Sequence, residues 1–210
     1  MFCFLLSRAL DEDKWINQKQ TRSSTTLDTI SGAASISGVF GTLYFKLKSV
    51  SCWRLPFLLQ PCHVLSALLA YTAFSDSLLS NAVFQIYVSL TWSSVLAFIF
   101  PDMSDYEYFW DKVNYWWEHT IMLIVPIYFV SSGRFEIIGG IYWTLLSYVV
   151  ILSYHFVVLV AVSLITEVNV STVMSPPSGM EFGGLHYRPI FAIGIGVIHL
   201  LYNYFLKVYF

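Results

Sequence analysis

Apolar residues fall along this chain in long blocks separated by short polar connectors. A helix needs about 20 apolar residues to cross a bilayer, and the blocks have that scale. The cleanest runs from Ala82 to Phe100, and two more lie at Ile141 to Ile165 and Ile190 to Leu206. A fourth covers Val113 to Val130, and a shorter one begins near Leu55 or at Pro61 and ends at Phe74. Ile30 to Leu47 is rich in Gly and Ser. Its Ala33, Ser37 and Gly41 recur every four residues, a ridge that lets helix backbones approach closely in lipid. Gln85, Ser89 and Ser93 share that spacing and are expected to face protein. Tyr and Trp crowd the block ends, as interfacial belts do, for example at Tyr106, Trp110, Tyr142 and Trp143. The pattern predicts an all-α, polytopic transmembrane helix bundle of about six spans over residues 28–210. Residues 1–27 read as a poorly ordered polar tail that does not span: the opening MFCFLLSRAL is apolar but too short for a secretory signal with its cleavage site, and acidic residues follow it directly.

Composition agrees with that reading. Apolar residues make up 57% of the 210 residues and charged residues 11%, against roughly 25% charge in an average soluble domain. The net charge of -2 gives no electrostatic argument for nucleic acid as a partner. Lys and Arg divide almost evenly between the two faces of the predicted bundle, so they do not choose an orientation. The three cysteines, Cys3, Cys52 and Cys62, are too scattered for a disulfide framework. The histidines show no HxxxH spacing and the cysteines no CxxC, so neither a metal nor another cofactor is expected.

Span parity gathers the chemistry. Spans two, four and six start on one face of the membrane, and spans three and five end there. Cys62 lies near the start of span two, and His119 is about 9 Å into span four at helical rise. His155 and His199 sit about 14 Å from the same face by the same rise. The loops on that side carry Asp102, Glu167, Asn169, His186 and Arg188. Ionisable groups inside a membrane are costly and usually mark a function.

Cys62 is the candidate nucleophile. Pro61 suits the first helical position, which puts Cys62 in the first turn, where exposed N–H groups and the helix dipole favour a thiolate. A thiolate beside an imidazole is the minimal set for covalent acyl transfer. Neighbours in sequence do not face the same way on a helix, so His119 is expected to be the base in preference to His63. For the same reason Glu118 is poorly placed to orient His119. The supporting or headgroup-binding candidates are His63, Asp102, His155, Glu167, Asn169, Arg188 and His199.

Several stretches resemble the transmembrane protein 164 family of membrane acyltransferases. They are LLQPCHV at 58–64, IFPD at 99–102, NYWWEHTIMLIVPIYFV at 114–130, YHF at 154–156, SLITEVNV at 163–170 and HYR at 186–188. With the closing apolar span they cover about 150 of the 210 residues, all of them beyond Val50. The resemblance implies transfer of fatty acyl chains between lipids, with polyunsaturated chains placed on ether phospholipids. By its Pro-Cys-His context the family's catalytic cysteine maps onto Cys62, and the histidine of its Trp-x-His motif maps onto His119. The function expected is a phospholipid acyltransferase working through a cysteine thioester. Its partners would be a phospholipid acyl donor and a lysophospholipid or ether-phospholipid acceptor, in endoplasmic reticulum or Golgi membranes. A lipid hydrolase with the same Cys/His pair, and a transporter or scaffold without chemistry, are the alternatives.

Overall fold

The computed structural model describes residues 1–10, 23–48, 52–103, 106–176 and 181–209. Every regular element among them is helical. In chain order they are α1 (Phe2–Leu10), α2 (Thr26–Lys48), a 3₁₀ segment (Cys52–Leu59), α3 (Pro61–Phe74), α4 (Leu78–Leu90) and α5 (Trp92–Ile99). Then follow α6 (Phe109–Ser131), α7 (Ile141–Ser153), a π-helical turn (Tyr154–Leu159), α8 (Val160–Thr166) and α9 (Tyr187–Tyr209). Each of the six predicted blocks falls on helix, and the all-α expectation holds.

Three stretches are long and apolar enough to cross a membrane: Leu78–Ile99, Ile141–Thr166 and Tyr187–Tyr209. The chain is a membrane protein. Its outward surface carries large apolar side chains such as Ile127, Val157, Ile165, Ile193, Leu201 and Phe205, each more than half exposed. Those side chains need lipid, because a contiguous apolar surface of this kind is not stable against water. Helix α6 has the same 23 residues as α9, but opens with the polar and aromatic FWDKVNYWWEH.

Two of the spans are not simple helices. Leu78–Ile99 is broken at Thr91, where the N–H bonds to the Val88 carbonyl in a tighter turn and the Thr91 hydroxyl donates to Tyr87. Ile141–Thr166 passes through the π turn at Tyr154–Leu159, an element that tends to occur at functional sites.

The core lies between α3, α4, α6 and the stretch after α6. Phe84 stacks on Phe135 at 4.4 Å, and Leu69, Tyr87, Met122 and Phe129 are buried around them. Arg134, fully buried, closes this end of the bundle. Its Nη2 donates to the carbonyls of Thr72, Ala73 and Ser75 at the end of α3, at 3.0, 3.0 and 3.3 Å. It also pairs with Asp76 and Asp28. Gln85 is buried as expected, donating to the Glu136 carbonyl and accepting from the Ile138 N–H.

Two expectations need revision. The first ten residues, taken as part of a polar tail, form α1, which buries Leu5 and Ala9 against Trp143 and Leu146 of α7; residues 11–22 of that tail lie outside the described residues. On α2 the buried ridge is not the exposed Ala33 and Ser37, though Ser37 accepts from Trp117 Nε1 of α6, but Gly32, Ser35, Gly38 and Thr42. Gly41, the third of the expected ridge, does approach α6, where it meets Asn114.

Candidate active site

The site begins with the start of α3. Tyr154 donates from its hydroxyl to the Leu59 carbonyl at 2.6 Å, fixing the chain just before Gln60, which caps the helix. Pro61 occupies the first turn, where its missing N–H costs nothing. Cys62 follows as a half-buried free thiol.

Helix α6 delivers the imidazole. The His119 Nδ1 donates to the Tyr115 carbonyl at 2.8 Å. A carbonyl can only accept, so the proton sits on Nδ1 and Nε2 is left for the thiol. The ring lies over Tyr115 at 4.2 Å and meets the edge of Phe98. The Cys62 thiol lies near this imidazole, and both line one cavity. A backbone carbonyl therefore orients His119, as the third member of such a set should. Glu118 has no part in it.

Glu118 instead crosses to α3. Its two carboxylate oxygens stand 2.9 and 2.8 Å from the His63 Nδ1, and both side chains are buried. His63, next in the chain, lies near the thiol as well, though its Nε2 makes no hydrogen bond to it. This buried pair was absent from the sequence expectations. Its one signal was the placement of a glutamate inside an apolar span, since such a group requires a partner.

Cys62 and His119 line a cavity of about 420 Å³, within the range usual for small-molecule sites. Leu96, Ala97, Ile151, Leu152, Phe191 and Ile195 make its wall mostly apolar. Asp102 and His155 also line it, with Asp102 at the exposed rim beside Phe100. His155 is carried there by the π turn and packs on Phe191 at 5.2 Å. Ser171 and Thr172 close one side in left-handed backbone conformations, φ 50° and 57°. Such values are uncommon outside glycine and cluster at functional sites.

The remaining candidates lie elsewhere. His199 is fully buried, but off the cavity. Its Nδ1 accepts from Trp92 Nε1 at 3.0 Å, and its Nε2 faces the Thr144 carbonyl at 2.9 Å. It is therefore a structural link among α5, α7 and α9, and its effect on the cavity is to hold Trp92 in the wall. Arg188 clamps a loop, donating from Nη2 to the Val173 carbonyl at 2.7 Å. Asn169 closes that loop on itself through the Met174 N–H and Ser175. Glu167 ends α8, exposed and left-handed at φ 58°. None of these four lines the cavity.

The TMEM164 family model matches residues 1–208. The chain belongs to the TMEM164 family. The match includes the N-terminal segment, which carried none of the stretches quoted above. Among curated proteins, the transmembrane protein 164 homolog of Dictyostelium discoideum is 27% identical over 166 residues. That alignment covers 73% of this chain and 60% of the relative, so the chain spans about three fifths of that protein's length. No solved structure matches the chain.

Proposed function

We propose that this TMEM164-family chain is a phospholipid acyltransferase that carries the acyl group on Cys62. One observation carries the reading. A free thiol in the first turn of a helix shares the wall of a largely apolar cavity with an imidazole whose Nδ1 proton is fixed by a backbone carbonyl. A thiol so placed suits a substrate with an ester next to hydrocarbon.

The reaction has two halves. His119 Nε2 takes the thiol proton, and the Cys62 sulfur attacks the ester carbonyl of a donor phospholipid. The C–S bond forms, the ester C–O bond breaks, and the leaving lysophospholipid oxygen takes the proton from His119. An acceptor lysophospholipid hydroxyl then gives its proton to His119 and attacks the thioester. The C–S bond breaks, and the sulfur regains the proton. Proton transfer by a positioned side chain contributes about 10²–10⁴-fold. Asp102 at the rim and His155 in the wall are placed to contact the polar part of the lipid. Endoplasmic reticulum or Golgi membranes, where phospholipids are remodelled, are the proposed location.

The test is lipid profiling of cells expressing the wild type or Cys62→Ala. Loss of acyl redistribution among phospholipids in the variant, at equal protein level, supports the reading. Identical profiles that both differ from untransfected cells would overturn it. Accumulation of free fatty acid in place of new phospholipid would make water the acceptor and the protein a hydrolase.

A further inference from the structure

Two imidazoles lie near one sulfur, and their surroundings differ. His119 lines the cavity where lipid must bind. His63 does not: its side chain is 1% exposed, and its Nδ1 is bonded to a carboxylate that is 0% exposed. Burying two charges costs several kcal/mol per ion, and a buried pair is weak evidence for stability. Arg134 and its carbonyl partners already fasten the other end of α3. The pair at the Cys62 end therefore calls for a reason beyond cohesion.

Geometry supplies one. With Nδ1 on Glu118, the remaining ring nitrogen of His63 is buried and has no hydrogen-bond partner among the described residues. The Cys62 sulfur, on the preceding residue, lies near it. An imidazolium has donors on both nitrogens, so a His63 kept positive by Glu118 can offer Nε2–H to the sulfur while Nδ1–H stays on the carboxylate. We propose that His63 and Glu118 form a fixed charge pair that stabilises the Cys62 thiolate, with Glu118 as a positioning residue, while His119 moves the protons. His63 then keeps its proton throughout the cycle. Its donor strengthens as the sulfur becomes anionic, both before attack on the ester and when the thioester breaks. Stabilisation that grows with developing charge is the kind that accelerates a reaction. The proposal deepens the acyl-transfer reading and rests on it for its purpose.

The thiolate can be tested without any lipid substrate. The purified protein in phosphatidylcholine nanodiscs, with Cys3→Ser and Cys52→Ser, is treated with iodoacetamide at neutral pH, and Cys62 alkylation is followed by mass spectrometry. Glu118→Gln and His63→Gln should each slow alkylation at least tenfold, since only the thiolate reacts. Because either single variant can destabilise the bundle, the apolar double variant His63→Leu/Glu118→Leu is measured beside them, with a thermal melt of each. Replacing both members of a buried pair by apolar residues is often neutral for stability, so the double variant should melt near the wild type yet alkylate as slowly as the singles. A wild-type alkylation rate in Glu118→Gln, or its restoration in the double variant, would show that the pair only holds helices together. Acyl-enzyme formation is scored on the same samples. A wild type that alkylates fast but never acylates removes the transferase reading, and the charge pair is then judged on the alkylation rates alone.

Discussion

Adding one methyl group to α2 should disturb the Cys62 site from a distance of two helices. A Cβ built on Gly38 would lie 3.0 and 3.1 Å from the Cβ and Cγ of Glu118, and 3.5 Å from its Cα. Carbon atoms settle at about 3.5–4.0 Å, so Gly38→Ala requires roughly 0.5 Å more room by that measure. Rotating the Glu118 side chain cannot supply it, because Cβ is fixed by the backbone. Helices α2 and α6 must move apart, against the hydrogen bond from Asn114 Nδ2 to the Gly38 carbonyl at 2.9 Å. Overpacking of this kind costs about 1–3 kcal/mol. The same shift carries Glu118 away from a 2.8 Å contact with His63. A 1 Å misplacement can cost about 10²-fold in rate, so half that distance predicts about a tenfold loss. Gly32→Ala is the control. Its Cβ would meet Ala73 and Phe74 at 2.7 and 2.8 Å, a tighter crowding at the far end of α3. Both variants should lower the melting temperature in detergent, but Gly38→Ala alone should slow acyl transfer. Equal losses of activity in the two, or none in Gly38→Ala, would refute the idea that the α2–α6 contact sets the position of Glu118.

Other outcomes follow from the same contacts. His119→Ala should cost about 10²–10⁴-fold in turnover, whereas exposed His186→Ala should cost far less; comparable losses would remove the role given to His119. Arg134→Met should destabilise the bundle by about 3–5 kcal/mol, the usual result of leaving a buried charge unpaired, because Asp28 is fully buried beside it. A melt within error of the wild type would contradict that packing. In a background without Cys3 and Cys52, Cys62 should form an oxidant-driven disulfide with His119→Cys but not with Ile127→Cys, since the bond needs Cα atoms within roughly 7 Å. Exclusive capture at position 127 would mean that α3 and α6 are out of register.

What the sequence made legible was set by the bilayer and by short local motifs. All six apolar blocks became helix, because span length and hydropathy leave few other solutions. Cys62 and His119 met as expected, since Pro61 fixes where α3 starts and parity fixes which ends of the spans are adjacent. Counting gave depth but not direction. Counting puts His199 level with His155, yet it points at Trp92 and Thr144, because packing around α9 decides which way a side chain faces. The His63–Glu118 pair was missed for a related reason. Adjacent residues diverge on a helix, which points to His119 as the base for Cys62 and turns His63 toward α6. The partners are 55 positions apart in sequence, with no spacing to betray them. Phe2–Leu10 is too short to span and was read as tail, but a helix of that length can still bury two small apolar positions on α7.

The central claim is that Cys62 carries the acyl group, and intact-protein mass spectrometry of the acyl-enzyme tests it most directly. Wild-type protein is incubated with a phosphatidylcholine bearing one polyunsaturated chain, quenched in acid, and its mass read before and after neutral hydroxylamine, which cleaves thioesters. The account predicts a mass gain of one acyl group on the Cys62 peptide that hydroxylamine removes, that lysophospholipid discharges into new phospholipid, and that Cys62→Ala lacks. Turnover of lipid by the wild type with no adduct on Cys62, or with full activity retained in Cys62→Ala, would contradict it.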